Sequence, residues 1–124
     1  MMVDALMIRA HTAIASAQVL LDAGDFAGAI NRAYYAMFYA ARAALQHVGI
    51  EVASSKHGTL VSRFGQHLIK AGHLPDDLGR WLNRMLELRA TADYGEGPPA
   101  RAETEEALAR ATRFLEAIEA FLAG

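Results

Sequence analysis

Four glycines, Gly24, Gly49, Gly72 and Gly95, divide the chain into stretches of helical length, each closing where a C-terminal cap would sit. A chain cut in this way leaves little room for any regular element but the helix. The composition agrees. Of the 53% hydrophobic residues, alanine supplies a large share while Val and Ile are few, and alanine loses no side-chain entropy on entering a helix. No strand pattern, internal repeat or low-complexity tract interrupts this reading. The periodicity predicts five helices, over residues 3–23, 26–48, 57–71, 75–94 and 103–122. A length of 124 residues supports one core and not two. The expectation is therefore one all-α domain over residues 1–124, an antiparallel up-and-down bundle of about five helices.

Local chemistry marks several helix ends. Asp25 suits the N-cap of the second helix, where a carboxylate oxygen can accept an early backbone N–H. Pro75 suits a first-turn position, and Asp76 and Asp77 then meet the positive end of the helix dipole. Thr104 is the expected cap of the last helix. The run Gly95-Glu96-Gly97-Pro98-Pro99 cannot continue a helix and reads as a linker.

The second helix is the most informative element. Phe26, Ile30, Tyr34, Met37, Phe38, Ala41, Leu45 and Val48 fall on one face and form the expected core stripe. Beside them runs a line of alanines, Ala29, Ala33, Ala36, Ala40 and Ala43, over which a neighbouring helix can approach closely. The opposite face carries Arg32, Tyr35, Tyr39, Arg42 and Gln46, where an ordinary solvent face would carry Lys and Glu. These side chains either pack on another helix of the chain or form a surface that meets something, most simply a second copy of it. In the last helix, Leu108, Ala111, Leu115, Ile118 and Leu122 point inward and suggest no chemistry.

Charge and residue type limit the functions available. Fourteen acidic and twelve basic residues give a net charge of −2, yet residues 56–89 carry six Lys/Arg against three acids, and 96 onward three arginines against six acids. A basic band in an acidic chain is compatible with an anionic ligand, and equally with mixed solvated faces. Cysteine is absent, which excludes disulfides and thiolate chemistry and suits a reducing compartment. Asp4, Arg9, His11 and Gln18 interrupt the apolar start, and no run of about 18 apolar residues occurs, so neither a signal peptide nor a membrane span is expected. The chain reads as soluble and cytoplasmic. No histidine or carboxylate spacing suits a metal site, and no phosphate-binding glycine loop or nucleophile elbow is present. Neither metal nor cofactor is expected.

One residue breaks the pattern. Leu78, Trp81, Leu82, Met85 and Ala92 define the apolar stripe of the fourth helix, and Arg89 projects from its middle. A guanidinium on a core-facing line is costly unless it is paired or reaches a cleft. Asp93 stands one turn later, in the less favourable order for a surface pair, and Tyr94 follows before the glycine stop. Arg89 is thus either structural mortar or a cleft-lining fork for phosphate. Among the histidines, His57 is the most interesting. It follows Ser54, Ser55 and Lys56 and opens the third helix, where backbone N–H groups can receive an anion. For His47, His67 and His73, surface or packing roles are expected.

Three blocks carry a family resemblance: Asp25 to Ala41 (DFAGAINRAYYAMFYAA), then Ser55-Lys56-His57-Gly58 through Gln66-His67-Leu68, then Leu88-Arg89-Ala90-Thr91-Ala92-Asp93-Tyr94. In this order, and covering most of the chain, they resemble the HEPN family of helical domains associated with nucleotides and RNA. The resemblance implies an antiparallel bundle, frequently a homodimer, and frequently a partner that is a minimal nucleotidyltransferase acting as antitoxin. Many HEPN proteins share a metal-independent ribonuclease site, an arginine followed a few residues later by a histidine. Arg89 stands where that arginine belongs, but Tyr94 occupies the histidine position. A phenol with a pKa near ~10 is a poor base at neutral pH. Arg42 and His47 match the spacing inside the second helix, away from the expected segment.

The sequence therefore points first to a domain that binds a nucleotide or RNA phosphate, or a nucleotidyltransferase partner. Its site comprises Arg32, Tyr35, His57, Arg89, Asp93 and Tyr94. Arg89 clamps phosphate, Asp93 holds the guanidinium, and Tyr35 or Tyr94 stacks on a base. The alternatives are a ribonuclease toxin working through Arg89 and Tyr94 or a relocated histidine, and a dimerisation module without a ligand.

Overall fold

The structure, a computed structural model, describes residues 2–52, 57–95 and 97–124 and consists of α-helices joined by short turns, with no strand among the described residues. The helices are α1 (Met2–Asp22), α2 (Phe26–His47), α3 (His57–Phe64), α4 (Asp76–Tyr94) and α5 (Arg101–Ala123). Helix α3 passes into one widened π-turn, Gly65–Ile69, in which the Lys70 N–H donates to the Gly65 carbonyl at 2.9 Å. The sequence reading of one regular helix over 57–71 is corrected in this respect. Such a turn inserts one residue into the helical repeat, and π-turns concentrate near functional segments.

Helix α2 is the axis of the bundle and packs against each of the other four helices. Its alanine line is fully buried, as are Ile30, Tyr34, Met37, Ala41 and Leu45, while Phe38 is nearly so. Small side chains along one line let a neighbouring backbone come close without leaving voids. The three-residue connection Ala23–Asp25 returns the chain directly, so α1 and α2 form an antiparallel hairpin. From α4, Leu78, Leu82 and Met85 close the core, and from α5 Leu108, Ala111, Phe114, Leu115 and Ile118 do so. Burying each of the larger side chains stabilises the fold by roughly 1.5–3 kcal/mol.

The Asp25 carboxylate accepts the Gly28 N–H at 2.9 Å and caps α2. Gly24, Gly49 and Gly72 all adopt φ +83°, the left-handed geometry that a helix C-cap requires. Gly95 does not, with φ −83° and ψ −176°. What it supplies is space: its N–H donates to the Thr91 carbonyl at 2.7 Å, and a Cβ there would fall 2.3 Å from that oxygen. Two expected starts are also corrected. Pro75 is the N-cap of α4 and lies just outside it. Thr104 lies inside α5, fully buried, its hydroxyl donating to the Ala100 carbonyl at 2.8 Å, because α5 begins at Arg101.

Candidate functional site

Three elements bring the chemistry-bearing residues together where α2, the start of α3 and the last turns of α4 meet. Tyr34 is fully buried on the inner face of α2, and a buried phenol needs a partner for its hydroxyl. That partner is Nδ1 of His57, the first residue of α3. The imidazole stacks on the Tyr34 ring, with centroids 5.2 Å apart and planes at 27°. It also meets the Tyr35 ring edge-on at 5.7 Å and the Phe38 ring at 4.9 Å.

Arg89 enters from α4. Its guanidinium carbon lies 5.5 Å from the Tyr34 centroid and 5.9 Å from that of Tyr35, within reach of the negative ring faces. Arg32 approaches the Tyr35 ring at 5.8 Å. The Nε of Arg89 is 3.2 Å from Oδ2 of Asp93, one helical turn on. The two form an ion pair by proximity, but the buried Nε has no aligned hydrogen-bond acceptor. The Arg89 side chain remains 21% exposed and that of Asp93 25% exposed. The arginine is therefore paired within its own helix yet not sealed in the core.

Burial and charge then set the protonation states. Desolvation, reinforced by the Arg89 cation, lowers the His57 pKa from its ordinary 6.5. Burial raises that of Tyr34 above the usual phenol range, only partly countered by Arg89. At neutral pH the pair is an un-ionised phenol against an un-ionised imidazole. We assign the phenol as donor to Nδ1, which leaves the ring proton on Nε2. A fixed cation, a neutral imidazole and aromatic faces are a set suited to a phosphate with a base attached.

Of the six residues expected from the sequence, Arg32, Tyr35, His57, Arg89 and Asp93 come together. Tyr94 stands apart: it is 82% exposed and makes no aromatic or cation–π contact among those of the described residues. Helical geometry accounts for this, since Arg89 and Asp93 are roughly 40° apart around the axis, but Arg89 and Tyr94 roughly 140°. Ser54, Ser55 and Lys56, expected beside His57, lie outside the described residues. His47 and His73 both pack near Phe121, at 5.4 and 5.7 Å, in keeping with packing roles. Among the described residues no three His, Asp or Glu side chains gather as metal ligands would. Sequence reasoning placed Tyr34 and Phe38 in the core stripe and missed them as site residues. The signal available was the tyrosine itself, a hydroxyl within a stripe otherwise apolar.

A helical bundle with an arginine and a histidine gathered on α2 tyrosines defines a class of small all-α domain. Within that class, a family model for the HEPN domain matches residues 3–121, and the chain belongs to the HEPN family. It is 38% identical over 121 residues to a UPF0332 protein of Gloeobacter violaceus, covering 95% of this chain and 94% of the relative. A UPF0332 protein of Thermotoga maritima is 37% identical over 112 residues, covering 90% and 83% respectively. A protein of Methanocaldococcus jannaschii named "Putative toxin" is 28% identical over 117 residues, covering 94% and 86%.

Proposed function

We propose that this chain is a nucleotide- or RNA-phosphate-binding HEPN domain, acting over residues 1–124 as the toxin-like half of a toxin–antitoxin-type pair. The observation that carries the reading is Arg89, a partly exposed guanidinium held over two tyrosine faces, beside a neutral imidazole, with a buried Nε that no acceptor satisfies. A phosphate oxygen at this arginine gains a charge-assisted hydrogen bond, and Arg32 and His57 border the same space. Tyr35 offers a ring to the attached base, and Tyr94 stands at the edge of the helix for the same task. The relative named as a toxin, alike over nearly its full length, supports the pairing. The partner in this reading is a minimal nucleotidyltransferase, and the chain associates as a homodimer. A cytoplasmic location belongs to the same reading; no helix of the described residues is long and apolar enough to cross a membrane.

The test is a thermal shift and calorimetric titration with ATP and GTP. Binding that disappears in Arg89→Ala, with the helical spectrum kept, supports the reading; wild-type protein that binds neither nucleotide nor RNA sinks it.

A second reading has its own support, because His57 lies beside Arg89 although the expected position holds Tyr94. In a metal-independent ribonuclease, His57 takes up the other tautomer, in which Nδ1–H donates to the Tyr34 oxygen, and the freed Nε2 takes the proton from a ribose 2′-hydroxyl. The oxygen then attacks the adjacent phosphorus, and the 5′-oxygen departs with a proton from solvent, leaving a 2′,3′-cyclic phosphate. Arg89 stabilises the charge gathering on the phosphate. Cleavage of mixed RNA in EDTA that needs both Arg89 and His57 selects this reading over binding alone.

A further inference from the structure

Helices α4 and α5 meet each other over far less surface than either shares with α2. The reason lies in the residues that they turn toward one another. From α4 come Trp81, Arg84, Met85 and Leu88. From α5 come Glu103, Glu106, Ala107 and Arg110. Each set follows the spacing i, i+3, i+4, i+7 that defines one helix face. The large apolar side chains all stand on α4, whereas α5 and its N-cap answer with Ala100, Ala102 and Ala107. Alanines cannot reach across, and a cleft of about 480 Å³ remains, a size typical of small-molecule sites. Met85 and Ala107 are buried in it, Trp81 and Leu88 half-buried, and Arg84, Glu103 and Glu106 exposed at its mouth. Across the cleft, Nη2 of Arg84 lies 3.7 Å from Oε2 of Glu103, and along α4 its Nη1 lies 3.8 Å from Oε2 of Glu87. Both distances are too long for a hydrogen bond. Arg110, by contrast, holds Glu106 at 2.6 Å within α5. Among the described residues, neither Arg84 nor Glu103 makes a side-chain hydrogen bond.

Charge and size select the occupant. An anion alone meets Glu103 and Glu106, and a cation alone meets Arg84 and Arg110. A wholly apolar molecule fills the space but leaves the Arg84–Glu103 pair without hydrogen bonds. A partner helix needs a longer groove, since Trp81 to Leu88 spans only about 10 Å. A molecule that carries both signs on neighbouring atoms, beside one bulky apolar group, answers every part of the cleft. We propose that the α4–α5 cleft binds a free α-amino acid with a bulky apolar side chain. Its carboxylate takes the Arg84 guanidinium, its ammonium donates to Glu103, and its side chain lies against Trp81, Met85 and Leu88 in the space that Ala107 leaves open. Both charges at the mouth then gain the hydrogen bonds that their 3.7 Å separation denies them, while the apolar body leaves water. None of Arg32, Tyr35, His57, Arg89 and Asp93 lines this cleft, so the proposal stands apart from the phosphate reading.

Trp81 is the one tryptophan of the chain, so its emission reports on the cleft directly. Titration of the full chain with L-phenylalanine or L-leucine, checked by calorimetry, should give a saturable change in that emission. Glycine, which cannot fill the apolar part, should give none. N-acetyl-phenylalanine lacks the ammonium and phenylalanine amide lacks the carboxylate, and each should bind about tenfold more weakly than L-phenylalanine. Arg84→Gln and Glu103→Gln should each weaken L-phenylalanine by a similar factor. Both residues are about half exposed, so these variants keep the fold, as an unchanged helical spectrum verifies. Ala102→Phe, at an exposed position, fills the mouth and should abolish binding. Failure of both amino acids to bind overturns the proposal. Binding of the acetylated and amidated forms as tight as that of phenylalanine overturns it too, because the cleft then takes any apolar body. Phenylalanine affinity that ignores Arg84→Gln, Glu103→Gln and Ala102→Phe places the ligand elsewhere and has the same consequence. Light scattering that shows a wild-type dimer becoming a monomer in Ala102→Phe assigns the cleft to self-association, which also overturns it.

Discussion

Replacing Tyr34 with phenylalanine tests the centre of the site, and its cost follows from the geometry. The ring is fully buried, and phenylalanine preserves the aromatic volume, so no cavity opens. What disappears is one hydroxyl and its hydrogen bond to Nδ1 of His57. Such a bond contributes about 1 kcal/mol net, because the unfolded chain recovers a bond to water. Tyr34→Ala, by contrast, empties a ring-sized volume in the core and should cost about 3–5 kcal/mol. In urea denaturation, with a slope near ~2 kcal/mol per molar, the phenylalanine variant should lose about 0.5 M in its midpoint and the alanine variant several times that. A second measurement reports on the same pair. The phenol stabilises the neutral imidazole by donating to it, so in Tyr34→Phe the His57 titration followed by NMR should move upward. It should remain below the ordinary 6.5, because burial and Arg89 still act on it. A phenylalanine variant with wild-type stability and an unchanged His57 titration would mean that the two groups are not bonded. A loss as large as that of alanine would mean that the ring is not seated as described.

Acidification should destabilise the protein through His57. Its folded pKa is lowered, so below about pH 6.5 the unfolded chain takes up the proton first, and stability falls until the folded state titrates as well. Urea midpoints measured at a series of pH values should show this slope in the wild type and a shallower one in His57→Gln. Asp25→Ala removes the carboxylate that caps α2 at the Gly28 N–H and should cost about 1 kcal/mol, read as a lower thermal midpoint, with Asp25→Asn retaining most of the stability. Gly49→Ala should also cost about 1 kcal/mol: a Cβ there meets nothing within 4 Å, so the loss comes from the backbone angle of +83° alone. An unchanged midpoint in that variant would show that the left-handed turn is not kept.

The arginine–carboxylate pair at the site was legible in the sequence because Arg89 and Asp93 sit one turn apart on one helix, and local geometry requires no knowledge of the fold. The rest of the site was not. Tyr34 and His57 are separated by 23 residues, and nothing in their spacing says that α3 begins against the inner face of α2. Tyr94, 82% exposed, stands on another side of α4 from Arg89, five residues along the same helix.

The sequence by itself determined the helices and much of their burial, since alanine content, apolar periodicity and the Asp25 cap act within a few residues. Left-handed stops at Gly24, Gly49 and Gly72 are equally local. Tertiary packing decided which helix ends converge, and so made one tyrosine of a core stripe into a hydrogen-bonding residue and left the Arg89 guanidinium partly open to solvent. It also fixed the start of α5, where burial of Thr104 overrode its suitability as a cap. The physical reason is range: helix formation is settled by neighbours in the chain, whereas the placement of a charge or a hydroxyl depends on which distant surface removes it from water.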